Sequence, residues 1–164
     1  MATKKSAKKK APAKAKPAAA KSNAKKAASP KRSEPESLRL RAVSPSFTVN
    51  DLEASLKWYR DVMGFTEGKR YDDKGKLVGV ELLAGEAFFM LGQDDWKKGK
   101  NRAKGEGMRL YCMTVQDVDV LAAEIRARGG KLDQPPTDQP WGMRDFSVTD
   151  PDGFKITIAR ELGK

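Results

Sequence analysis

The stretch Thr48–Phe65, TVNDLEASLKWYRDVMGF, decides how the chain is read, because a diverged copy of it follows sixty-six positions later. Thr48 matches Thr114, Val49 matches Val115, Asp51 matches Asp117, Arg60 matches Arg126 and Gly64 matches Gly130. Each copy runs strand, cap, amphipathic helix, glycine stop. In the first, Asn50 is expected to cap the helix while Glu53, three residues on, reaches back to it. Leu52, Leu56, Tyr59 and Met63 recur at spacings of four, three and four, which draws one apolar stripe along the helix before Gly64 ends it. Val118, Leu121, Ala122 and Ile125 draw the second stripe ahead of Gly129 and Gly130. Two matching modules point to one duplicated fold.

Around each helix the strands fall into the same order. Val43–Val49 and Phe65–Tyr71 read as strands, Asp72–Lys76 is a turn, and Leu77–Leu83 and Ala87–Leu91 are apolar runs joined by a tight turn at Ala84–Glu86. After a polar, lysine-rich linker at Gln93–Gly107, Met108–Val115 is a strand and Asp117–Arg128 the second helix. A short strand begins at Lys131, and Gln134–Pro140, with three prolines, reads as a loop. Met143–Thr149 is a strand, Asp150–Gly153 a turn, and Phe154–Arg160 the last strand. The fold expected is α+β: two tandem βαβββ modules, about 43–92 and 108–161, in one domain over residues 38–164.

The charge belongs to a different part of the chain. Residues 1–33 hold twelve of the 33 basic side chains and no acid, leaving 21 basic against 22 acidic groups for the rest, so the net charge of +11 comes from the N-terminal arm. Residues 1–37 contain only Lys, Ala, Pro, Ser and similar groups before the first apolar run. They are expected to be a disordered tail. Lys4, Lys5, Lys8, Lys9, Lys10, Lys25, Lys26, Lys31 and Arg32 are the groups expected to contact DNA or RNA without sequence preference, by releasing condensed counterions. A solubilising extension is the alternative. The single cysteine excludes an internal disulfide and fits a reducing compartment, and no apolar run is long enough to span a membrane. A cytoplasmic protein is expected, associated with the nucleoid if the arm holds DNA. The chain has no histidine.

A duplicated βαβββ order with LEASLKWYRDVMGF in its first helix and WGMRDFSVTDPDGFKI near its end resembles the vicinal oxygen chelate superfamily. That superfamily includes glyoxalase I, extradiol dioxygenases, and fosfomycin- and bleomycin-resistance proteins. The resemblance covers about residues 43–161 and implies that the two sheets curl into an open cup that holds the ligand. It also places metal-ligand positions on the first and last strand of each module, here Ser44, Met90, Leu110 and Thr157. None of these offers the imidazole, carboxylate or thiolate that a Lewis-acid site needs. No metal and no cofactor are therefore expected, and the resemblance is nearest to the metal-free bleomycin-resistance-like members.

Strand alternation then divides the side chains. With Ser44 facing the cup, so do Ser46 and Thr48, while Phe47 and Val49 face the helices. The same count sends Phe88, Met90, Leu110, Cys112, Thr114, Lys155 and Thr157 to the cup and Phe89, Leu91, Tyr111, Met113, Ile156 and Ile158 to the core. Soft apolar groups beside small hydroxyls suit an organic molecule with a few polar handles. Trp141, after three prolines, can stack on a planar ligand, and Arg144 offers a fork for a carboxylate or phosphate. Trp96 stands alone in the linker as a lid or an anchor. In bleomycin-resistance-like proteins the Trp141–Arg144 segment borders a crevice between subunits, so a homodimer is expected.

The candidate ligand-binding residues are Ser46, Phe88, Met90, Trp96, Leu110, Cys112, Trp141, Arg144 and Thr157. The function expected is binding or sequestration of a small organic molecule. Two alternatives stand beside it: a lyase or isomerase of the glyoxalase group with Glu81 as its base, and a nucleoid-associated regulator whose arm attaches to DNA.

Overall fold

Helix caps and strand faces set the architecture. The computed structural model describes residue 40 and residues 42–163. The basic arm and its nine candidate nucleic-acid residues lie outside them. The elements are β1 (Ser46–Val49), α1 (Leu52–Trp58) running on into a π-helical turn (Tyr59–Met63), β2 (Thr66–Asp73), β3 (Lys76–Ala84) and β4 (Ala87–Gln93), then β5 (Arg109–Met113), α2 (Val118–Ala127), β6 (Leu132–Gln139), β7 (Met143–Thr149) and β8 (Lys155–Glu161). They make two four-stranded sheets, in the orders β1-β4-β3-β2 and β5-β8-β7-β6. The outer pairs β1/β4 and β5/β8 are parallel and the rest antiparallel. The βαβββ order is thus used twice.

Asp51, one residue later than expected, caps α1. Its side chain accepts from the Ala54 amide at 3.0 Å, and Asp117 does the same for α2 through the Asp119 and Val120 amides. Asn50 has another partner: its backbone N–H donates to Asp152 Oδ1 in the other module at 2.8 Å. Glu53 pairs with Arg70 instead of closing a capping box. The last turn of the first helix widens to π geometry before Gly64, at φ 87°, ends it, as the glycine predicts. The expected stripe holds, with Leu52, Leu56, Tyr59 and Met63 all buried.

The segment Gln134–Pro140 forms most of β6 rather than a loop. β6 is the edge strand of its sheet, where a residue without an N–H forfeits no ladder bond on the open side, and its pairing with β7 shifts register around the prolines.

One hydrophobic core serves both modules. It draws on both helices and on one face of each sheet: Phe47, Val49, Leu82, Phe89 and Leu91 from the first, Phe146, Val148 and Ile156 from the second. Phe47 stacks on Phe154 with ring centres 4.1 Å apart. The turn Asp150–Gly153 stitches the modules beneath these rings. Tyr59 Oη donates to Asp150 at 2.9 Å, Ser55 Oγ to Asp152 at 3.0 Å, and the Phe154 amide to Asp150 at 2.7 Å. Burial raises the pKa of both Asp150 and Tyr59, the usual consequence of placing a charge in an apolar setting. Gly105 and Gly153, both at positive φ, let the linker cross this turn: a Cβ on Gly105 would sit 2.2 Å from the Gly153 carbonyl oxygen, nearer than any side chain can approach. No helix among the described residues is long and apolar enough to cross a membrane.

Candidate functional site

With the helices on one face of each sheet, the other face of each is open among the described residues. In the first module the open face carries Ser46, Thr48, Phe88, Met90, Glu81 and Leu83, since β1 and β4 place Phe47, Val49, Phe89 and Leu91 in the core. This is the alternation that the sequence predicts. Ser46 stands opposite Met90, which in turn stands opposite Glu81. Tyr71 closes over the carboxylate, its hydroxyl donating to Glu81 Oε1 at 2.7 Å, and that bond is the main cause of a raised Tyr71 pKa.

In the second module β8 alternates as expected, with Ile156 and Ile158 in the core, whereas the expected alternation of β5 is inverted. Leu110 and Cys112 pack against the core, and Tyr111 and Met113 emerge on the open face. Counted back from the shared caps, the buried side chains of β1 lie two and four residues before Asp51, whereas those of β5 lie five and seven before Asp117. An odd number of extra residues between strand and cap turns the strand over. Val115, 95% exposed, is the visible consequence. Burial also raises the Cys112 thiol pKa, as for a core cysteine.

Cross-strand register arranges the second open face in rows. Tyr111 stands beside Thr157 and Ser147, Met113 beside Ala159 and Asp145, and Arg109 beside Lys155 and Thr149. Thr157 is buried and shares a 3.0 Å hydrogen bond with Ser147. Asp145, only 4% exposed, accepts from Gln139 Nε2 at 2.9 Å and from Tyr111 Oη at 3.4 Å. Trp141, 63% exposed, stands with its Nε1 3.5 Å from the Tyr111 oxygen.

Four expected ligand residues lie elsewhere. Arg144 alternates with Asp145 and so faces α2, where its guanidinium is held by Asp119 at 2.7 and 2.8 Å and by Asp138 at 2.6 Å. The fork that the sequence offered to a ligand is already filled, and hydrogen bonding to Asp119 and Asp138 raises its pKa further. Trp96 borders a hollow of about 380 Å³ against the first turn of α1, away from Tyr111 and Trp141, with Lys100 Nζ 5.3 Å from its ring centre. Its segment is anchored, since the Trp96 amide and the side chains of Arg102 and Lys104 all converge on Asp94 at 2.8–2.9 Å. Those contacts, led by the Lys104 hydrogen bond, hold the Asp94 pKa down to about 2. Leu110 and Cys112, as above, belong to the core.

The residues missed by the sequence reading are Tyr71, Tyr111, Gln139 and Asp145. A carboxylate between Met143 and Phe146 on a strand with buried alternate positions was the one available signal. The register also moves two of the metal-ligand positions that the resemblance implied: Ser44 precedes β1 and Leu110 faces the core, so the open-face residues nearest the four positions are Ser46, Met90, Tyr111 and Thr157. Two hydroxyls, a thioether and a phenol do not make a divalent-cation site. Among the described residues no three His, Cys, Asp or Glu side chains gather closely enough to add one.

The fold recurs in known proteins. A chain from Agrobacterium tumefaciens, described as a protein of unknown function, is 30% identical and superposes with a TM-score of 0.58 over 76% of this chain and 97% of its own. A glyoxalase/bleomycin resistance protein/dioxygenase superfamily member from Sphaerobacter thermophilus is 26% identical, with a TM-score of 0.58 over 73% and 98%. TioX from Micromonospora, at 22% identity and a TM-score of 0.58 over 75% and 98%, shares the fold. No curated protein matches by sequence. The family model for the Glyoxalase/Bleomycin resistance protein/Dioxygenase superfamily matches residues 41–158, which cover the first module and the second as far as the middle of β8. The chain belongs to that superfamily.

Proposed function

We propose that the protein binds a small organic molecule on the open faces of its sheets, without a metal ion, and that two copies together complete the site. The observation that carries this reading is the exposure of aromatic side chains on sheet faces that no other described residue covers: Phe88 at 38% on the first and Tyr111 at 46% on the second, with Trp141 at 63% in the β6–β7 turn beside it. Among the described residues, the hydrogen bonds, ion pairs and aromatic contacts between the modules run through the helices, the linker, the Asp150–Gly153 turn and the core stack of Phe47 on Phe154. The two open faces do not meet within one chain, and uncovered apolar surface of this kind is usually a place where something docks. A dimer that sets the first face of one copy against the second face of the other encloses a cup with apolar walls and a few polar groups, which is the usual make-up of a small-molecule site.

The test is a thermal-shift screen of planar and amphiphilic compounds on the full chain, with mass measured by light scattering. Ligand at a hundred times Kd stabilises by about 2.7 kcal/mol, enough to read directly. A monomer with no shift for any compound overturns the proposal. One observation favours a catalytic reading as well: Tyr71 and Glu81 form a short hydrogen-bonded acid–base pair on the first open face. Turnover lost in Glu81→Gln with binding kept would establish it. The basic arm adds a separate activity, sequence-independent contact with nucleic acid. Comparing gel shifts of the full chain and of a chain lacking residues 1–36 at two salt concentrations tests this, and equal binding by both removes the arm from it.

A further inference from the structure

Asp145 is an unusual carboxylate for this protein. It is buried on a face meant for a ligand, and its two side-chain partners, Gln139 and Tyr111, are both neutral. Among the described residues no lysine or arginine lies within ion-pair distance of it, although Asp94, the other deeply buried acid outside the Asp150–Gly153 turn, has two cations at 2.8 Å. The nearest arginine in sequence, Arg144, points to the opposite face and is fully engaged there.

From this we propose that Asp145, Tyr111 and Trp141 form a subsite for a cationic nitrogen, the ammonium, amidinium or quaternary centre of a planar organic ligand. The proposal rests on the small-molecule reading above and names the ligand's chemical class.

Three features of the molecule converge on a cation. A carboxylate only accepts, so the Tyr111 proton is directed to Asp145, and the phenol oxygen, which accepts from Trp141 Nε1 at 3.5 Å, keeps one lone pair for a further donor. The two exposed rings, Tyr111 and Trp141, add π faces that attract positive charge within about 6 Å. Most telling is the counterpart in the first module. There the tyrosine whose hydroxyl is tied to a carboxylate, Tyr71 with Glu81, has an ammonium over its ring, with Lys69 Nζ 4.8 Å from the ring centre. The chain itself thus places a cation on one tyrosine–carboxylate pair, and among the described residues it supplies none to the other.

Orientation follows from the same face. Arg109 and Lys155 face the cup four residues along their strands from Met113 and Ala159, the row that holds Asp145. At about 3.3 Å per residue this separates the basic end from Asp145 by roughly 13 Å. A ligand's positive end is repelled from the first and drawn to the second.

Three tricyclic probes of one outline test this by calorimetric titration of the full chain: N-methylacridinium, N-methylacridone and acridine-9-carboxylate. The cation is expected to bind at least about tenfold more tightly than the neutral probe, with the anion weakest. Asp145→Asn should remove that preference while leaving the neutral probe within about twofold. Tyr111→Phe, at an exposed position that the fold tolerates, should reduce the cation's advantage severalfold and stands in if Asp145→Asn fails to give a native far-UV spectrum. Neutral and cationic probes of equal affinity overturn the cation subsite and leave cup binding intact. Equal losses for both probes in Asp145→Asn also overturn it, because they mark a structural role. Failure of all three probes to bind overturns both readings.

Discussion

The two modules have one topology, one kind of cap and one shared core, yet their first strands present opposite sides to it. β1 buries Val49 and Phe47 two and four residues before its cap, while β5 buries Cys112 and Leu110 five and seven before its own. Three surplus positions between the last buried strand residue and the cap, an odd number, leave Val115 exposed, and every side chain of β5 changes face as a result. The first module consequently offers a thioether and a phenylalanine with its tyrosine–carboxylate pair already attended by Lys69. The second offers Tyr111, Met113 and Trp141 around an unattended Asp145. Duplication of a module fixes its backbone plan, and the length of one short connection decides which chemistry the plan displays.

The junction between the modules gives the largest expected effect. Gly105→Ala forces a Cβ into the Gly153 backbone from a left-handed φ and should cost about 3–5 kcal/mol in chemical denaturation, summing backbone strain and overpacking. Gly75→Ala, also left-handed but in open space, should cost about 1 kcal/mol. Similar costs at the two sites would mean that the modules are not locked through this crossing.

Next comes the alternation of β4. Phe89→Ala removes a core ring and should destabilise by about 3–5 kcal/mol, whereas Phe88→Ala, on the open face, should leave stability nearly unchanged and weaken ligand binding. At the stitch itself, Tyr59→Phe leaves Asp150 without its hydroxyl donor in a buried setting and should cost about 1–3 kcal/mol.

Acid resolves the linker from the stitch, because the signs differ. Asp94 has a folded-state pKa of about 2 against the ordinary 3.8, so its stabilisation is complete above about pH 4 and is lost as pH falls toward 2. Asp150 is raised by burial, so its ionisation opposes folding as pH rises through its folded pKa and protonation relieves the penalty. Denaturation melts between pH 4 and 2 should therefore show a loss in the wild type that is diminished in Asp94→Asn. The smallest perturbation concerns β5: native Cys112 should react with a thiol reagent at least about tenfold more slowly than in denaturant, being buried with a raised pKa. Rapid labelling of the native protein would put Cys112 in the cup and reverse the comparison between the strands.

Much of this was legible in the residues themselves. The helix stripes, the glycine stops, the open and buried faces of β1 and β4, and the doubled module all follow from local periodicity, which a chain carries in its own spacing. The charge of the arm and the lack of histidine were equally plain. Asn50, Arg144 and β5 were not, and for one reason. Asn50 looks like a cap until Asp152, 102 residues away, takes its backbone N–H; Arg144 looks available until α2 brings Asp119 to it; Leu110 looks like cup lining until the spacing to Asp117 turns its strand over. Periodicity states which residues share a face, whereas which face is buried, and which polar groups are already satisfied, depends on partners that only the folded chain brings within a few ångströms.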